Sequence, residues 1–255
     1  MTEGHFHIQH KVFSLKGVHA LSKGKNRRKP ISKKGNAVKT RRQFIKLILG
    51  FISGIGLIFS PVANGIRVAF AKAKKIILEK GTRMNTLVGK NPANLDTRNL
   101  DLTPVEAFET MGLSDYQVDL NRWRLEIGGL VKRPLKLSYA QITEMPSVRK
   151  DVLLICPGFF AYHARWNGVS VTKLLDMAQS RPDATHVSFS GPKGRYEKTG
   201  RFPMADILSG KVFLATGVNG NALPQKHGFP LRVVAQDYYG GDWVKYVYKV
   251  TVYKK

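Results

Sequence analysis

Cys156 is the one cysteine among 255 residues, and it closes the apolar run Asp151-Val-Leu-Leu-Ile-Cys156 ahead of Pro157-Gly158-Phe159-Phe160. A thiol delivered into a glycine-bearing turn, with Trp166-Asn167-Gly168-Val169 shortly after it, has the donor chemistry for a soft metal. Two other readings of the same residue stand beside that one. A free cysteine at the end of an apolar run also packs as a small hydrophobe. A cysteine nucleophile needs a histidine base, and His163, His186 and His227 are available. Zinc is disfavoured, because one cysteine without Cys-x-x-Cys or His-x-x-x-His spacing does not assemble four ligands.

The elements that must position this thiol read as short strands. Trp123-Arg-Leu125-Glu-Ile127 alternates, Gly128-Gly129 interrupts it, and Pro134-Leu-Lys-Leu137 resumes the pattern. Ser138-Tyr-Ala-Gln-Ile-Thr-Glu144 predicts a helix opened by a serine cap and ended near Pro146. Val171 to Ala178 predicts a second short helix with one apolar face. Further strands are expected at His186 to Ser190, Val212 to Ala215, Leu231 to Ala235 and Val244 to Val252. Residues 72 to 80 read as a short helix continuing the segment before them, and Pro104 to Phe108 as the start of another. Many short strands and few helices predict an α+β domain dominated by mixed β-sheet. About 180 residues from position 72 onward suit one domain, and the chain as a whole, 43% hydrophobic and 10% aromatic, has ample residues for a core.

The formal charge of +25 is shared between a tail and this body. Residues 1–42 hold twelve Lys/Arg against Glu3 alone, while residues 72–255 hold 28 against 16 acids. Such a balance suits nucleic acid, anionic lipid or an anionic cofactor, but no nucleic-acid-binding motif is present, so no nucleic-acid partner is expected. The tail has a more specific reading. Thr40-Arg41-Arg42-Gln43-Phe44-Ile45-Lys46 leads into Leu47–Ile66, twenty residues without a charge and with glycines at positions 50, 54, 56 and 65. Paired arginines before a moderately apolar, glycine-bearing segment resemble a twin-arginine export signal. The same twenty residues are long enough for a membrane anchor. The two readings are compatible if Ala69-Phe70-Ala71 is not a processing site. Residues 1–71 are therefore expected to be tail and signal or anchor, and residues 72–255 a body exported to the periplasm. A lone cysteine suits an oxidising compartment.

Several motifs in the body carry a resemblance when taken in order. Tyr116-Gln-Val-Asp-Leu-Asn-Arg-Trp-Arg-Leu-Glu-Ile-Gly-Gly-Leu-Val-Lys-Arg-Pro-Leu is followed by Leu153-Leu-Ile-Cys-Pro-Gly-Phe-Phe and Trp166-Asn-Gly-Val. Gly220-Asn-Ala-Leu-Pro-Gln-Lys-His-Gly-Phe-Pro-Leu-Arg232 and Tyr239-Gly-Gly-Asp-Trp-Val-Lys245 follow in turn. Over roughly residues 100–255 this order resembles the molybdopterin-binding domain of the sulfite oxidase superfamily.

The resemblance implies a molybdenum-molybdopterin oxidoreductase. By it, Cys156 is the catalytic residue and the metal's thiolate ligand, and His227, Arg232, Trp243, Val244 and Lys245 bind the phosphate-bearing pterin. Taken singly, Arg232 and Lys245 read equally as solvated charges, His227 as a loop hydrogen-bonder, and Trp166 as a core aromatic. The resemblance further implies oxygen-atom transfer on a small-molecule substrate and a separate haem- or quinone-linked electron-transfer protein. A different class of reading is a membrane-tethered periplasmic binding protein with the same fold and no metal. Pro157-Gly158-Phe159 departs from the Ala-Gly-Asn-Arg form of sulfite oxidases, so an arginine placed there for an oxyanion is missing. It also differs from the Val-Glu-Ala form of methionine-sulfoxide reductases, which leaves the substrate open.

Overall fold

The computed structural model describes residues 74–255. The basic tail, the arginine pair and the uncharged stretch lie outside the described residues. Among those described, no helix is long and apolar enough to cross a membrane.

The chain enters through a two-residue parallel pair, β1 (Ile76–Ile77) with β2 (Leu95–Asp96). It then forms β3 (Leu125–Gly129), β4 (Leu135–Leu137) and helix α1 (Tyr139–Thr143). The Ser138 side chain accepts from the Gln141 N–H at 3.2 Å, and the Gln141 side chain accepts from the Ser138 N–H at 2.9 Å. That reciprocal box satisfies two otherwise orphaned donors and fixes where α1 begins. Next come β5 (Ser147–Cys156), β6 (Phe160–Ser170) and α2 (Val171–Ala178), whose Val171, Leu174, Leu175 and Ala178 are buried. The remainder is β7 (His186–Ser190), β8 (Thr199–Pro203), α3 (Met204–Leu208), β9 (Val212–Val218), β10 (Asn221–Ala222), β11 (Arg232–Ala235) and β12 (Lys249–Tyr253).

Two five-stranded sheets result. One runs β10-β9-β6-β5 with β11 also on β9, and the other runs β4-β3-β12-β7-β8. The second is mixed, since β12 is parallel to β3 and antiparallel to β7. The expected sheet-rich α+β class is therefore what the chain forms.

The long β5–β6 hairpin organises both cores, because alternate residues of a strand face opposite sides. Val152, Leu154 and Cys156 join the main core, whereas Leu153 and Ile155 meet Leu78, Leu87, Leu95 and Leu100 of the entry segment in a smaller one. Each such leucine, once buried, contributes about 1.5–3 kcal/mol. The entry segment is thereby pinned to the outer face of the hairpin.

Gly168 explains the Trp166-Asn-Gly-Val motif in backbone terms. A Cβ there would lie 2.0 Å from the Leu214 carbonyl oxygen. Only glycine lets β9 approach β6 where their register shifts between Asn167 and Gly168. Trp166 beside it is fully buried.

Three local expectations need correction. Residues 72–80 hold β1 at Ile76–Ile77, because the Leu78 N–H is taken up by the Asp96 carbonyl in the continuation of a strand pair. Pro104 to Phe108 makes one 3₁₀ turn, Val105–Ala107, and stops there. The strand expected at Val244 to Val252 starts only at Lys249. Tyr246 sits at φ +59, which ends any extended run, and residues 244 and 247 pair instead with Val233 and Leu231.

A candidate cofactor cavity at the end of the central hairpin

Cys156 lies at the last position of β5. The turn beyond it closes by a 3.0 Å bond from the Phe159 N–H to the Cys156 carbonyl, with Gly158 at φ +78 supplying the conformation. The half-buried thiol faces a cavity of about 400 Å³. Its walls come from distant parts of the chain: Leu154, Phe160 and Tyr162 of the hairpin, residues 195–198 before β8, Arg232 of β11, Gly240, Gly241, Trp243, Lys245 and Tyr246, and the segment Glu109–Leu113. Burial pushes the Cys156 thiol up from its ordinary pKa, against a smaller pull downward from Lys198.

Arg232 is 4% exposed. Its Nη1 donates to the His227 carbonyl at 3.0 Å, and its guanidinium carbon lies 5.1 Å from the Trp166 ring and 5.6 Å from the Trp243 ring. Two indole faces thus hold the cation without neutralising it. Trp243 and Lys245 line the same cavity, so the structure gathers four of the expected site residues, Cys156, Arg232, Trp243 and Lys245, around one space. His227 and Val244 are buried but do not reach its wall. The Val244 carbonyl accepts from the Val233 N–H at 2.8 Å, holding the 240–246 loop against β11. His227 packs edge-on against Phe108, and its pKa is pushed down to about 4 by burial first and then by Arg232, Lys226 and Lys245.

Arg232 Nε, Trp243 Nε1 and the Tyr246 hydroxyl are buried without a hydrogen-bond partner, as are both ring nitrogens of His227. An unsatisfied buried donor costs about 1–3 kcal/mol, so three of them around one cavity call for an acceptor-rich occupant. A phosphate-bearing pterin is such a group, and these residues fit it. Tyr246 is held in the left-handed region at φ +59, a strained conformation of the kind that collects at ligand sites. Among the described residues no three His, Cys, Asp or Glu side chains gather in metal-binding proximity. A metal in this cavity therefore depends on one protein thiolate and on donors brought by the cofactor.

Residues 113–255 match the family described as the oxidoreductase molybdopterin binding domain. The chain belongs to that family. A nitrate reductase (NADPH) of Fusarium oxysporum is 27% identical over 210 residues, covering 69% of this chain and 23% of that protein. The protein-methionine-sulfoxide reductase catalytic subunit MsrP of Gluconobacter oxydans is 27% identical over 143 residues, 50% of this chain and 46% of that one. The chain thus spans less than half the length of either relative. Among solved structures, the sulfane dehydrogenase SoxCD from Paracoccus pantotrophus superposes with a TM-score of 0.52 at 24% identity. It covers 60% of this chain and 46% of that one, and at such identity it speaks for the fold alone.

Sequence reasoning did not find Tyr246, Met111, Arg195 or Lys198. Tyr246 directly follows Trp243-Val-Lys245, and its position in a loop that looked like a strand concealed it. Arg195 and Lys198 lie in the loop between β7 and β8, in which Lys193 is exposed to solvent. Met111 had no signal in its spacing.

Proposed function

We propose that this molybdopterin-binding domain is the catalytic body of an exported oxidoreductase acting on a small substrate, with electrons exchanged through a separate redox protein. The observation that carries the reading is the meeting of the chain's single thiol with three unpartnered buried donors in one cavity. The bound cofactor supplies two-electron chemistry that moves an oxygen atom to or from the substrate. The protein's residues do the rest. Cys156 would hold the metal as a thiolate, and Lys198, the cation that favours its charged form, would ease the loss of its proton. Arg232 and Lys245 would meet the cofactor's anionic end, His227 behind the wall holds Arg232 through its carbonyl, Trp243 would wall the site against water, and Val244 fixes the loop that carries both neighbours.

Residues 1–71 supply the address and any anchor in this proposal, and residues 72–255 the periplasmic domain. The resemblance of Arg41-Arg42 and the following segment to a twin-arginine signal supports it, because that route carries folded, cofactor-loaded cargo. Family membership favours this reading over a metal-free binding protein.

Arg232 provides the test. A guanidinium grips phosphate through directed, charge-assisted bonds that an ammonium cannot reproduce. Losing one costs about 1.5–3 kcal/mol, or about ten- to a hundredfold in affinity. Arg232→Ala purified from a molybdopterin-producing host should be depleted of pterin, Arg232→Lys intermediate, and Lys193→Ala replete. Full pterin content in folded Arg232→Ala would remove the cofactor from this cavity wall.

A further inference from the structure

Lys245 carries three N–H bonds, and all are taken. Its ammonium lies 2.9 Å from the Leu113 carbonyl, 3.1 Å from the Met111 carbonyl, 3.2 Å from Thr110 Oγ1 and 3.4 Å from the Lys226 carbonyl. Three of these four oxygens belong to one short segment, Glu109–Leu113. The same segment sets the Met111 thioether 3.0 Å from Cys156 Sγ. Two groups of the cavity, the thiol and the ammonium, are thus covered together, while Arg232 Nε, Trp243 Nε1 and the Tyr246 hydroxyl keep open valences. An ammonium saturated by carbonyls has nothing left to offer a phosphate.

How the segment is held decides what it can do. At one end Phe108 is buried and stacks on Tyr162 at 4.1 Å. At the other, Tyr116 packs on Tyr196 and Tyr246, its carbonyl accepts from Gln225 Nε2 at 2.6 Å, and Asp115 accepts from the Tyr196 hydroxyl at 2.6 Å. Between these anchors little apolar surface is buried, Met111 being 47% and Leu113 37% exposed. Gly112, at φ +71, gives the span a turn with no neighbour near its Cα substituent position. A loop fixed at both ends and held in the middle chiefly by one cation opens at low cost.

We infer that Glu109–Leu113 is a latch that covers the Cys156 and Lys245 side of the cavity and is displaced when an anionic group takes Lys245. The occupant rests on the proposed molybdopterin function; the latch itself is a property of the cofactor-free chain. Loading exchanges the Met111 and Leu113 carbonyls on Lys245 for phosphate oxygens and, in the same movement, withdraws the Met111 thioether from Cys156. The thiol is thereby kept from reagents in an oxidising compartment until the cofactor arrives.

Alkylation of Cys156 by iodoacetamide, followed by mass spectrometry on the full-length chain from a host that makes no molybdopterin, reads the latch directly because no other cysteine exists. Met111→Ala removes the cover, and Gly112→Ala strains the turn without removing a contact. Each should raise the alkylation rate about tenfold, as expected when local opening limits access. Inorganic phosphate should speed alkylation of the unmodified chain relative to chloride at equal ionic strength, and Lys245→Met should react fast with no phosphate effect. Unchanged rates in both Met111→Ala and Gly112→Ala with unaltered circular dichroism would overturn the latch, as would a phosphate effect absent from the unmodified chain or retained in Lys245→Met. Failure of the molybdopterin reading would appear separately, as chain from a producing host with no bound pterin, and leaves these thiol rates untouched.

Discussion

His227 shows how a single side chain in this site couples ligand, charge and stability. Its ring is fully buried, neither nitrogen has a partner, and three cations stand near it. Above pH 6.5 the imidazole is neutral in both folded and unfolded chains and contributes no pH dependence. Between about 6.5 and about 4 only the unfolded chain takes up the proton, so stability falls as pH falls through that window and levels off below it. The difference corresponds to about 3 kcal/mol at about 1.4 kcal/mol per pH unit. His227→Met keeps the volume and removes the titration. In urea unfolding of cofactor-free protein it should lose this component of the acid slope, and pterin affinity should drop if the ring nitrogens serve the cofactor. Equal acid slopes in the two proteins would show that His227 does not carry the shift. Arg232 was legible as a cation in a shared motif, but nothing in the sequence announces that Trp166 and Trp243, 77 positions apart, will hold it between them.

At the scale of elements, what could be read and what could not follow one physical line. Helix α1 was legible because its signal is local, a serine cap with glutamine three residues on. The end of β5 was legible as an apolar run, yet its start, Ser147 to Lys150, is mostly polar and lay outside that run. The partner strand β6 was missed altogether. It runs Phe160 to Ser170 and alternates from Tyr162 to Asn167, with Tyr162, Ala164 and Trp166 in the main core and His163, Arg165 and Asn167 on the other face, a pattern the sequence reading passed over. Its pairing is specified by contacts with β5 and β9, which are remote in sequence. Gly168 is the point at which that pairing is most exposed to substitution. In Gly168→Ala the new methyl would stand 2.0 Å from the Leu214 oxygen and 2.6 Å from the Ala215 Cα, both backbone atoms with no freedom to swing aside. Overpacking of this kind costs about 1–3 kcal/mol or more, and thermal denaturation should show a clear loss of stability. A midpoint equal to that of the unmodified chain would mean that β6 and β9 separate here at no cost.

For the molecule as a whole, the sheet-rich α+β class and the family were legible because several motifs occur in one order, whereas the shape of the site was not, because its walls come from segments more than a hundred residues apart, such as Thr110 and Lys245. The basic tail belongs to a different level of function. Changing Arg41 and Arg42 together to Lys preserves charge and removes the guanidinium pair on which the proposed export signal depends. Cell fractionation should then find the protein retained in the cytoplasm, while unaltered export would leave the uncharged segment acting as a plain anchor. The central claim is that one protein thiolate, Cys156, completes a molybdenum site in the cavity, and molybdenum X-ray absorption on purified protein measures that bond. The unmodified chain from a molybdopterin-producing host should bind about one molybdenum with about three sulfur donors, two from the pterin dithiolene and one from Cys156, and Cys156→Ser should lose one of the three. An undiminished sulfur shell in Cys156→Ser, or molybdenum absent from the unmodified chain, would contradict the account.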